Sequence, residues 1–127
     1  MDRAGGTEDR DDSGILIPLA EVRRERLDLP VTFNRRELDQ ILGVYGMMVA
    51  AGEWRDYAID HMRDHAIFSV YRRTSEVPLF RIVKAPKLRT RQGAYSVVAA
   101  TGKILKRGHE LARVLGVFDN KLKLVKA

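Results

Sequence analysis

Asp60-His61 and Asp64-His65 form a D-H-x-x-D-H pattern, which puts two imidazoles and two carboxylates within six residues. That donor set suits zinc or another transition metal. On a helix the two histidines would share one face at i, i+4, and on a hairpin a turn could also bring them together. No third well-placed strong ligand accompanies them in sequence. The expectation is therefore a pair of surface histidines and no metal site.

Other reaction motifs fail on inspection. Gly102-Lys103 sits in a faint P-loop pattern, but Val97 stands where the first glycine belongs and Ile104 replaces the Ser/Thr. There is no G-x-S-x-G elbow and no G-x-G-x-x-G turn. Ser69, Ser75 and Ser96 have no local activating partner. Glu37 has a structural role as a helix-capping residue. No catalytic residue and no cofactor is assigned, and an enzyme without a recognisable motif ranks third among the readings.

The basic residues give the strongest lead. No Asp or Glu occurs from Val77 to His109, while Arg81, Lys84, Lys87, Arg89, Arg91, Lys103, Lys106 and Arg107 all do. The whole chain has a formal net charge of +6 and a pI near 9.9. Lys87, Arg89 and Arg91 alternate in a polar loop bounded by Pro86 and Gly93, with no acid nearby in sequence. They are the candidate contacts to an anionic ligand, helped by Lys103, Lys106 and Arg107. Tyr71, Phe80 or Tyr95 could stack on bases, but these aromatics also serve as core. A strand sends Arg81 and Lys84 to opposite faces, which splits the basic run. The aromatic-rich pattern of an RNA-recognition sheet is absent. Two readings stand level: a binding module for nucleic acid, and an adaptor or scaffold for an acidic protein. For any single Lys or Arg, a solvated basic face is the simpler account.

The chain of 127 residues is 45% hydrophobic and 31% charged, as expected for one globular domain. It has no cysteine, which fits a reducing compartment and excludes disulfides and thiolate chemistry. No apolar run approaches the ~20 residues that span a bilayer, and the acidic start is unlike a signal peptide. The expected location is the cytoplasm. Residues 1–14 read as a disordered acidic tail, 15–120 as a single α+β domain and 121–127 as a basic tail.

The elements that must position these side chains are legible in part. Asn34 is a favoured N-cap with Glu37 at N3, and Phe33 and Leu38 are spaced for a hydrophobic staple. Leu38, Ile41, Leu42, Tyr45, Met48 and Val49 mark one apolar helix face, with Gly52 as the stop. Gly43 and Gly46 cost this helix about 2 kcal/mol relative to alanine, which close packing on the sheet would offset. A ligand over Gly43, Gly46 and Ala50 is the alternative. Residues 54–63 fit helix or strand, and strand is preferred, turning at Arg63–Asp64–His65. Further strands are expected over Ile67–Arg73, Leu79–Ala85, Tyr95–Ala100 and Lys103–Arg107, with a hairpin turn at Thr101–Gly102. Gly108 would cap a last helix whose buried face is Leu111, Val114, Leu115 and Phe118. The sum is an antiparallel sheet of four to five strands with an N-terminal and a C-terminal helix packed against it.

Gln92-Gly93-Ala94-Tyr95-Ser96-Val97-Val98 and Gly102-Lys103-Ile104-Leu105-Lys106-Arg107-Gly108-His109 carry a likeness, together with Val31-Thr32-Phe33-Asn34-Arg35 and Trp54-Arg55-Asp56-Tyr57. These blocks resemble a small family of bacterial domains of unknown function, mainly alphaproteobacterial. The likeness covers roughly Val31 to Asp119. It implies a soluble single domain in a bacterial cytoplasm, and it brings no activity, cofactor or catalytic residue.

Overall fold

The computed structural model describes residues 29–73 and 77–119. The expected tails at 1–14 and 121–127, and residues 15–28, lie outside the described residues. The elements run in the order α1 (Arg35–Ala50), β1 (Asp56–His61), β2 (Ala66–Tyr71), β3 (Phe80–Lys84), β4 (Tyr95–Ala99), β5 (Ile104–Gly108) and α2 (Leu111–Leu115). Short 3-10 turns occupy Pro86–Leu88 and Gly116–Phe118. The fold is α+β. The five strands pair antiparallel in chain order, β1-β2-β3-β4-β5, so β1 and β5 are the edges among the described residues.

Helix α1 begins as its sequence dictates. The Asn34 side chain accepts from the Glu37 N–H at 2.8 Å, and Glu37 Oε1 accepts from the Asn34 N–H at 2.8 Å. This reciprocal box satisfies two otherwise unpaired donors of the first turn. Residues 54–63 hold a strand, β1, whose register with β2 runs from Asp56↔Tyr71 to His61↔Ala66.

One face of the sheet carries Ala66, Phe68 and Val70 of β2, Ile82 of β3 and Val97 of β4, all fully buried. Both helices contribute to this core: Ile41 and Met48 from α1, and Leu111, Val114 and Leu115 from α2, with Phe118 just beyond. Tyr45 packs edge-on to Tyr57 at 4.9 Å between ring centres. Burial, and then the nearby Asp56 carboxylate, hold the Tyr45 hydroxyl above its ordinary pKa. Trp54, in the linker before β1, meets the Phe118 ring edge-on at 4.9 Å and closes the other end of the core.

Three local expectations need correction. First, Leu42 and Val49 are 38% and 40% exposed and do not join the core. The inward line of α1 is Glu37, Ile41 and Met48, flanked by half-buried Leu38 and Tyr45. Residues at i+1 from that line are rotated about 100° away, and apolarity alone had widened the face. Gly43 and Gly46 also lie outside, with nothing within 4 Å of an added Cβ, so they do not pack on the sheet. Second, the β4–β5 connection is a three-residue loop, Ala100–Gly102. The Ala99 N–H donates to the Lys103 carbonyl and the Gly102 N–H to the Ala99 carbonyl, both at 2.8 Å. Gly102 takes φ +94°, the left-handed position such loops require. Third, Gly108 ends β5, and the N-cap of α2 is Glu110.

Candidate functional site

Most of the chemistry-bearing groups, Lys103 excepted, gather at one end of the sheet. Antiparallel register brings the end of β1, the start of β2, the end of β3, the start of β4 and the end of β5 to the same edge, through His61↔Ala66↔Lys84↔Tyr95↔Gly108.

Lys84 occupies a core-facing position in the same alternation as Phe80 and Ile82, and is only 6% exposed. A lysine there needs a counter-charge, because an unpaired buried ammonium is costly. Glu37, equally buried, supplies it: Lys84 Nζ donates to Glu37 Oε1 at 2.9 Å and to the Thr32 carbonyl at 3.0 Å. The Tyr95 hydroxyl donates to Glu37 Oε2. Both oxygens of one carboxylate are thus engaged, one by the helix cap and Lys84, the other by Tyr95. The network links α1, β3 and β4, and it removes Lys84 from any external basic surface. Arg81 points to the opposite face, as the alternation predicts. Sequence reading gave Glu37 only its capping role. The missed signal was a lysine in phase with core residues of its strand, opposite a glutamate in phase with Ile41.

Beside this network lies an open groove of about 520 Å³ between the first turn of α1 and the first turn of α2. Glu37, Tyr95, Gln40, Arg36 and His109 line it. Gln40 Oε1 is buried there without a hydrogen-bond partner among the described residues. Arg113, at the rim, pairs with Glu110 at 2.9 Å.

The basic loop is closed by backbone hydrogen bonds. The Ala85 N–H donates to the Ala94 carbonyl at 2.7 Å and closes its base. Inside, the Leu88 carbonyl accepts from the N–H groups of Arg91, Gln92 and Gly93 at 3.0, 3.0 and 2.9 Å. Gly93 takes φ +97° and lies directly on the Gly108 backbone, where any Cβ would overlap the Gly108 carbonyl. The Gln92 side chain accepts from the Arg107 guanidinium. The loop is therefore tied to the end of β5, and the Lys87, Arg89, Arg91 set is joined to Arg107. Lys87 and Arg91 are exposed and Arg89 is half-buried. Lys106 is exposed on β5, and Lys103 is exposed just before that strand, beside Ala99, at the end of the sheet opposite the basic loop.

Lys87 has an acidic neighbour that its sequence window does not reveal. Asp64, in the β1–β2 turn, is held below the ordinary carboxylate range, chiefly by its hydrogen bond with His65 Nδ1 at 2.6 Å and to a smaller extent by Lys87. His61 is exposed on β1, opposite Ala66. Among the described residues no group of three or more His, Asp or Glu side chains is arranged to hold a metal. No helix among them is long and apolar enough to cross a membrane.

Among the described residues, a five-stranded meander with two helices on one face, a buried Glu–Lys–Tyr network and a basic end defines a small α+β domain. Residues 31–115 match the family model described as "Protein of unknown function (DUF2794)", and the chain belongs to that family. The match begins at the lead-in to α1 and ends with α2, so it contains all five strands, the buried network and the basic loop. No curated protein and no solved structure matches the chain.

Proposed function

We propose that this chain is a non-enzymatic binding module that contacts nucleic-acid phosphates through Lys87, Arg89 and Arg91, with Arg107 and Lys106 beside them on β5 and Lys103 further along the same strand edge, at the far end of the sheet. The observation that carries the reading is the closed loop Ala85–Ala94, fixed to β5 by the Gly93–Gly108 contact and the Gln92–Arg107 hydrogen bond. A loop closed in this way holds the backbone beneath its cations in place, so less ordering entropy opposes each phosphate contact. The cysteine-free composition supports a cytoplasmic setting.

Fluorescence anisotropy with labelled duplex DNA and single-stranded RNA of unrelated sequences, over a range of salt, tests it. On duplex DNA each phosphate contact contributes about 0.9 to the slope of log K against log salt. Replacing Lys87, Arg89 and Arg91 together by Glu should weaken binding to all sequences while the chain stays folded, as a thermal melt of each variant checks. The Gln triple variant should fall between that variant and the natural chain. No salt-dependent binding to either polymer at low micromolar protein defeats the proposal.

The edge position of β5 favours a second reading in that event. Ile104 and Leu105 are 42% and 37% exposed beside Lys103 and Lys106. An acidic partner could add a strand there, with backbone pairing for affinity and lysines for charge selection. Capture of one acidic protein from nuclease-treated lysate, lost on Lys103→Glu/Lys106→Glu, supports this adaptor role.

A further inference from the structure

Helix α1 has a second apolar side. From Gln40 to Gly52 the chain carries no charged residue, although 31% of all residues are charged. Only part of that run is used inside. Leu42, Met47 and Val49 are 38%, 50% and 40% exposed, and Gly43, Gly46 and Ala50 are exposed among them. The solvent face of a surface helix ordinarily carries charged and polar side chains. This one does so only near its ends, with Arg35, Arg36 and Asp39 in the first turns and Glu53 just beyond the last.

We propose that this face is a homodimer interface, in which α1 of one copy packs antiparallel on α1 of a second copy. The charge distribution selects the occupant and the direction. The last turn of α1 holds no basic residue, so its carbonyl end has no cation from its own helix. In an antiparallel pair crossing near Gly43 and Gly46, Arg35 and Arg36 of each copy lie beside the carbonyl end of the other. Glu53 follows that end, and among the described residues its ion pair is a long one, 3.9 Å, to Arg72. A parallel pair would instead stack Arg35 and Arg36 on their own counterparts. At the crossing, two glycines with open space above them let the backbones approach, while Leu42, Met47 and Val49 flank the contact. One 16-residue helix per copy offers less than the roughly 1,200–2,000 Å² of a standard interface. The expected dimer is accordingly weak, with Kd in the micromolar range. This inference is independent of the nucleic-acid reading.

Sedimentation equilibrium on the full chain tests it. The mean mass should rise from 14.4 kDa towards twice that value with concentration, from about 1 to 300 µM. Val49→Glu and Met47→Glu, each at an exposed position, should stay monomeric with an unchanged circular dichroism spectrum. The absence of cysteine allows a directional check. Gly46→Cys should form a disulfide-linked dimer on mild oxidation, since crossing helices there bring the two Cα atoms within about 7 Å. Arg36→Cys should not self-link, because antiparallel packing sets the two sites roughly 25 Å apart. A monomer at every concentration overturns the proposal, as do dimers of both Glu variants or efficient self-linking of Arg36→Cys.

Discussion

Glu37 Oε1 accepts both the N–H of Asn34, at 2.8 Å, and the ammonium of Lys84, at 2.9 Å. One oxygen thus finishes a helix and anchors a strand. Lys84→Met would leave the carboxylate buried without its counter-ion, and a cost of about 3–5 kcal/mol is expected. A double-mutant cycle with Glu37→Gln should give a coupling of roughly 1–3 kcal/mol in urea denaturation. Additive losses would mean that the two groups do not depend on each other.

Two glycines should respond with opposite sign to the same change. Gly93→Ala places a Cβ on the Gly108 backbone at φ +97° and should destabilise by more than about 1 kcal/mol. Gly43→Ala, in an exposed helical position with open space, should stabilise by about 0.5–1 kcal/mol. Thermal melts at low protein concentration compare them.

The phase of α1 can be checked with neighbours in sequence. Ile41 is fully buried and Leu42 is 38% exposed. Ile41→Ala should cost about 2–5 kcal/mol, and Leu42→Ala about 1 kcal/mol or less. Equal losses would show that the core line is misplaced.

Asp64 should titrate below an ordinary aspartate. Its hydrogen bond with His65 is the main cause and Lys87 a lesser one. Because the folded pKa is lowered, the favourable interaction holds above the unfolded pKa and is lost as pH falls through the folded one. Carboxyl carbon chemical shifts followed by NMR should show Asp64 moving upward in His65→Ala, and by less in Lys87→Ala. No movement in the histidine variant would remove the hydrogen bond as the cause.

Local chemistry was easily read from sequence, and non-local chemistry was not. The capping box of Asn34 and Glu37 spans three residues, and every part of it is visible in a short window. Leu111, Val114, Leu115 and Phe118 were all read as a buried face for the same reason. The α+β class and all five strands followed from alternation and turns, with β1 the one ambiguous element. Charge counting, by contrast, grouped Lys84 with Lys87, although one lies inside under Glu37 and the other outside near Asp64. Sequence proximity carries no information on which face of a sheet a cation meets, or which turn lies across from it. The glycines of α1 misled for a related reason. Their cost was legible, but packing on the sheet, the expected compensation, is absent.

The meander order of the strands also bears on how quickly the chain can reach this structure. Each strand pairs only with its sequence neighbours, so the sheet can zip one hairpin at a time, with a loop of at most ten residues, Ala85–Ala94, to close at any step. Hairpins of this kind form in about 1–10 µs. The contact from Glu37 to Lys84 spans 47 positions, a larger loop to close than any hairpin of the sheet. The expectation is that α1 docks through that pair late, so Lys84→Met should accelerate unfolding far more than it slows folding, as stopped-flow refolding and unfolding rates would check.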